Sequence, residues 1–97
     1  MAQVRLARRA QADLDRLLEF LQGQDAALAE EAIRAILDAL SVLERHPLIG
    51  RSVQGEMREL VISHGRAGYV ALYRFLAAQG LVGVLAVRHQ REAGFRD

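Results

Sequence analysis

The sequence predicts an α+β domain, an antiparallel sheet packed against an antiparallel helix hairpin in the order β-α-α-β-β-β. Three observations predict it. Two stretches with helical spacing of apolar residues are separated only by Gly23-Gln24-Asp25. Three strand-like stretches follow Pro47, joined by short links. A short alternating segment, Gln3-Val4-Arg5-Leu6, precedes them all.

Gln3 to Leu6 reads as a first strand. From Ala7 to Gln22 the spacing changes: Ala10, Leu14, Leu17, Leu18 and Leu21 fall on one helical face,. Asp13, Arg16 and Glu19 are expected mostly on the other. Gly23 is expected to end this helix, because glycine permits the left-handed turn past a C-terminus. Asp25 can cap the next helix by accepting from free amides of its first turn. Ala29, Ala32, Ile33, Ile36, Leu37, Leu40 and Leu43 form that helix's apolar stripe. It is expected to stop near Arg45-His46, since the residue before Pro47 is pushed out of helical geometry.

Pro47 to Gly55 reads as a loop. Leu48 and Ile49 within it suit either a core role or anchoring of a partner. Met57–Ser63, Gly68–Ala77 and Leu81–His89 are the three strand candidates. Ala78-Gln79-Gly80 suits a hairpin turn, so the three strands are expected to form an antiparallel meander. One face would lie on the helices and the other toward water.

With 97 residues, the chain is read as a single domain, 1–97,. The apolar share of 52% is that of a globular protein,. There is no cysteine, which excludes disulfides, thiolate zinc sites and cysteine nucleophiles,. His46 and His64 fall in loops without metal-ligand spacing. No phosphate-binding glycine loop, nucleophile elbow or paired carboxylates stand out, so no cofactor and no metal are expected. No leader-like segment follows Met1 and no apolar run approaches membrane-spanning length. A soluble, cytoplasmic protein with no membrane partner is expected.

The net charge of +1 conceals an asymmetry. Up to Ile49 the acids outnumber the arginines; beyond it Arg51, Arg58, Arg66, Arg74, Arg88, Arg91 and Arg96 face only Glu56, Glu59, Glu92 and Asp97. Every basic residue besides histidine is arginine, whose planar fork suits carboxylate and phosphate. Codon bias is the plainer explanation.

The abrupt end of the last strand, Leu85-Ala86-Val87-Arg88-His89-Gln90-Arg91, is the sharpest functional signal. Histidine can act as acid or base near neutral pH, and flanking arginines can hold phosphate; a solvated strand end is the plainer alternative. Tyr69 and Tyr73 share a strand face with Ala71 and Phe75. Aromatics among arginines can grip single-stranded nucleic acid, but a tyrosine row is also ordinary half-buried core. Arg58 is either ion-paired beside Glu59 or part of a basic edge with Arg51 and Arg66.

The chain resembles the ParE/RelE superfamily of toxins from bacterial type II toxin–antitoxin modules, often labelled plasmid stabilisation proteins. The resemblance rests on Ala10-x-x-Asp13-Leu14, on Leu43-x-x-His46-Pro47-x-x-Gly50-Arg51 and on Met57-Arg58-Glu59-Leu60. It continues through Gly68-Tyr69-Val70-Ala71-Leu72-Tyr73-Arg74 and Val84-Leu85-Ala86-Val87-Arg88-His89-Gln90-Arg91-Glu92. It implies one of two activities. RelE-like members are ribosome-dependent mRNA endonucleases; ParE-like members are thought to poison DNA gyrase. Both are neutralised by an antitoxin whose C-terminal segment wraps the toxin.

The ParE side is favoured. Where the nuclease pattern has an arginine after Gly-Tyr, this chain has Val70, and it has no lysine. Phe95 lacks the hydroxyl a tyrosine would bring. Were the chain a nuclease, Arg58, His89 and Arg91 would be its candidate catalytic residues. As a gyrase inhibitor it would bind target or antitoxin through Arg51, Arg58, Tyr69, Tyr73, Arg88, His89, Arg91, Phe95 and Arg96. A non-toxic interaction domain is the third reading.

Overall fold

The computed structural model describes residues 1–91. The elements are β1 (Gln3–Leu6), α1 (Arg8–Gln22), α2 (Ala26–Ser41), β2 (Arg51–Gln54), β3 (Met57–His64), β4 (Ala67–Leu76) and β5 (Leu81–His89). A 3₁₀ turn, Val42–Glu44, follows α2.

The helix hairpin forms as its apolar spacing requires. Asp25 accepts from the amides of Ala27 at 2.9 Å and Leu28 at 3.3 Å, supplying the first turn of α2 with its missing acceptor,. Gly23 is not left-handed; at φ −65° it prolongs the spiral, and the Asp25 amide closes the end by donating to the Leu21 carbonyl at 2.9 Å. The chain leaves α-helical geometry at Ser41, a few residues ahead of Pro47.

The sheet is β1-β5-β4-β3-β2. Its centre is the expected antiparallel meander. Two features enlarge it. β1 joins β5 in parallel, Val4 beside Val82 and Leu6 beside Val84, so the sheet as a whole is mixed. Arg51–Gln54, expected within a loop, pairs with β3 as an edge strand whose four residues are all exposed. With no buried face, it shows no apolar alternation to read.

Both helices pack on one sheet face. Leu14, Leu17, Ile36, Leu40 and Leu43 meet Ile62, Tyr69, Tyr73, Val82, Val84 and Val87. The pairing of β4 with β5 shifts after Leu72, which faces Ala86 while Tyr73 faces Val84, leaving Leu85 as the extra residue of a bulge,. Beyond the bulge the alternation of β5 reverses. Val82, Val84, Val87 and His89 therefore all lie on the helix side, whereas Gly83, Ala86 and Arg88 lie on the outer face.

Among the described residues no helix is long and apolar enough to cross a membrane.

Candidate functional site

β1 covers only the first half of β5, ending where the Ala7 amide donates to the Val84 carbonyl at 2.9 Å. Past that point the edge of β5 faces α1, and the amide of Val87 would be buried without a partner. Asp13 supplies one, its Oδ2 accepting from Val87 N at 2.9 Å. Asp13 is thus not on the solvent side of α1, as its charge suggested. It is buried among Ala10, Leu14 and Leu17, because a carboxylate tolerates burial when it takes a hydrogen bond and meets counter-charge. Arg9 at 4.0 Å and Arg16 at 3.7 Å provide that charge from the rim.

Arg16, held in this way, borders a groove of about 710 Å³ between α1 and the paired ends of β4 and β5. Leu17, Phe20 and Leu21 line one wall; Tyr69, His89 and Arg91 line the other. Phe20 is 63% exposed although it is a large apolar side chain. The His89 ring meets the Tyr69 ring edge-on, with centroids 5.4 Å apart and planes at 78°. Burial pushes the Tyr69 phenol above its ordinary value of 10.0, so it stays neutral,.

The backbone amide of Arg91 donates to His89 Nδ1 at 3.0 Å. In the neutral imidazole the ring proton then resides on Nε2. Nδ1 is thereby not offered as the basic nitrogen that proton abstraction requires,. An apolar wall bordered by two arginines suits an apolar segment flanked by carboxylates.

The remaining sequence-predicted residues distribute as follows. Arg88 stands opposite Val70 on the outer face, half-buried, with Nη1 donating to the carbonyls of His89 and Gln90, each at 3.3 Å. Arg51 is exposed and pairs with Glu59 at 2.9 Å. Arg58 is neither a free basic edge nor paired to Glu59. Its Nη1 donates to the carbonyls of Gly50 at 2.8 Å and Leu48 at 3.2 Å, fastening the loop before β2. Tyr73 is fully buried and its hydroxyl accepts from Gly50 N at 2.8 Å, which removes it from any binding surface. Leu48 and Ile49 are 58% and 57% exposed, which excludes the core role. Phe95 and Arg96 lie outside the described residues.

The three candidate nuclease residues are therefore not assembled. His89 and Arg91 share the groove, but Arg58 is opposite Tyr73, four positions along β4 from Tyr69 and roughly 13 Å away,. Val70, where the nuclease pattern has its arginine, is on the outer face, away from His89. Among the described residues no cluster of histidine and carboxylate side chains could hold a metal.

Sequence reading missed Asp13 and Arg16. The signal was present: Asp13 sits at helical spacing within Ala10-x-x-Asp13-Leu14-x-x-Leu17, on the face that must be buried.

Comparison with known proteins gives a consistent result. Residues 4–94 match the family described as the ParE toxin of the type II toxin–antitoxin system, parDE. The chain is 36% identical over 92 residues to Toxin RelE3 of Caulobacter vibrioides, covering 95% of this chain and 98% of that one. A structure of the chromosomal ParDE toxin–antitoxin system from P. aeruginosa superposes with a TM-score of 0.76 at 20% identity, covering 92% of this chain and 96% of that one. The intact E. coli RelBE toxin–antitoxin complex gives 0.65 at 14% identity, covering 95% and 100%.

Proposed function

Because this chain belongs to the ParE toxin family of type II toxin–antitoxin systems, we propose that it arrests growth by inhibiting DNA gyrase and is silenced by a cognate antitoxin. The observation that supports gyrase over message cleavage is the state of His89. With Nδ1 accepting from the Arg91 amide and Arg58 engaged by loop carbonyls, the described residues do not offer an acid–base pair for attack by a 2′-hydroxyl,. The groove beside His89 serves recognition. Its apolar wall of Leu17, Phe20 and Leu21 offers area, and Arg16 and Arg91 offer charge,.

A wrapping antitoxin segment fits this groove. At the other side of the sheet the exposed edge strand β2 gives an extended segment backbone groups to pair with,. The solved relatives are toxin–antitoxin complexes, in keeping with such a partner.

The test is a supercoiling assay with purified gyrase and relaxed plasmid. The full-length chain is expected to block supercoiling or trap cleaved DNA, and prior addition of the antitoxin is expected to restore turnover. Arg91→Ala is expected to weaken inhibition about tenfold, as for loss of one charged contact. Unimpeded supercoiling at large toxin excess contradicts the proposal.

A further inference from the structure

Gly83 occupies the middle of β5, where a glycine weakens the strand and packs nothing. The fold does not call for it. Its φ is not left-handed, and a Cβ placed there would meet no atom within 4 Å. A strand glycine often marks a bulge, a bend or a close approach to the backbone; the bulge of β5 is at Leu85, and Gly83 itself is in regular register with Arg5 and Arg74, which leaves close approach.

Its neighbours indicate what. Register puts Arg5 of β1 on one side and Arg74 of β4 on the other, all on the sheet face turned away from the helices. Both arginines are exposed, and their Cα atoms are about 10 Å apart, two strand spacings,. Arg5 Nη2 donates to Gln3 Oε1 at 3.3 Å; among the described residues neither arginine has an ion-pair partner. Among the described residues the only acid on a strand is Glu59, already paired with Arg51. Of the exposed acids among the described residues, Asp15, Glu19, Glu30, Glu31 and Asp38 are carried by the helices, where they outnumber the exposed Arg8 and Arg34; Asp25 caps α2 and Glu56 lies in the turn between β2 and β3. Charge is thus divided between layers, with a cationic outer sheet face fit for a polyanion. Among the described residues that face carries no aromatic ring, since Tyr69, Tyr73 and Phe75 all belong to the helix side. It can grip phosphates but cannot stack bases, which favours a duplex over a single strand.

We propose that the Arg5–Gly83–Arg74 row binds the phosphodiester backbone of duplex DNA. The two guanidinium forks close on phosphate oxygens, and the bare backbone at Gly83 lets the sugar–phosphate chain come near. This goes beyond inhibition of gyrase and is measured without it, so either conclusion can fail alone.

The test is fluorescence anisotropy of a short labelled DNA duplex with the full-length chain at low salt, repeated as salt is raised. Arg5→Gln and Arg74→Gln are each expected to weaken binding about tenfold and to lower the log–log salt slope by about 0.9, one phosphate contact each. Gly83→Val is expected to separate stability from binding. Its melting temperature stays equal or rises, because valine favours a strand and nothing obstructs its Cβ,; its affinity for the duplex falls about tenfold. Arg34→Gln, on α2, is expected to bind as the parent does. Wild-type affinity in Gly83→Val overturns the proposal, as does an unchanged salt slope in both arginine variants. Equal weakening by Arg34→Gln overturns it in favour of unspecific charge. Binding of a polyglutamate peptide through these residues, with no binding of the duplex, overturns it in favour of an acidic protein segment.

Discussion

Gly50→Ala is expected to destabilise the protein by about 3 kcal/mol and to lower its melting temperature by roughly 10–20 °C. A Cβ at this position would lie 2.7 Å from the Glu59 carbonyl oxygen and 2.7 Å from both Cε1 and the hydroxyl oxygen of Tyr73. Neither neighbour can yield. The carbonyl belongs to the backbone of β3, and Tyr73 is fully buried at the centre of the core. Retreat of the loop would pull the Gly50 amide off the Tyr73 hydroxyl and its carbonyl off Arg58. Overpacking and unmade hydrogen bonds therefore add. Ser52→Ala, on the exposed edge strand, is the control and is expected to change stability by less than about 0.5 kcal/mol,. Thermal and urea denaturation followed by circular dichroism measure both. A Gly50→Ala protein as stable as Ser52→Ala would show that this corner is not packed as described.

Asp13→Ala is expected to cost about 2 kcal/mol, because it leaves the Val87 amide buried without an acceptor. Asp13→Asn is expected to cost less. Its side-chain oxygen can still accept from Val87, and only the attraction of Arg9 and Arg16 is lost. The order separates the hydrogen bond from the charge. Hydrogen exchange at the Val87 amide gives a local reading: fast in Asp13→Ala, slow in the parent, intermediate in Asp13→Asn. The site feels the same change, since Asp13 holds both the end of β5 and Arg16, one on each wall of the groove. Equal stability of Asp13→Ala and the parent would remove Asp13 from this role.

Much of the fold is legible in the residues. Leu14, Leu17, Ile36 and Leu40 declare two helices by spacing, Asp25 declares the start of the second, and Leu81 to His89 is apolar enough to be read as a strand to its last residue. What stays hidden depends on partners distant in sequence. The parallel seat of β1 on β5 is fixed by pairings such as Gln3 with Leu81, which no local pattern records. The bulge at Leu85 reverses which side chains of β5 face inward, and one added residue is enough to exchange the two faces,. Simple alternation would place His89 on the face opposite Val82; the bulge brings it into the groove beside Tyr69. The tyrosine row illustrates the same limit. Tyr69 lines the groove, whereas Tyr73, two turns of alternation further along the same face, serves Gly50 in the core.

The proposed function gives His89 a role in recognition and none in proton transfer, and His89→Gln is the variant that tests this. Glutamine keeps an N–H donor near the position of Nε2 but cannot transfer a proton. Supercoiling by gyrase and primer extension on translated message should be measured side by side with the parent and His89→Gln. The expected result is that both proteins stop supercoiling and neither cuts message. Unaffected gyrase, together with message cut by the parent and left whole by His89→Gln, would contradict the gyrase reading and assign catalysis to His89.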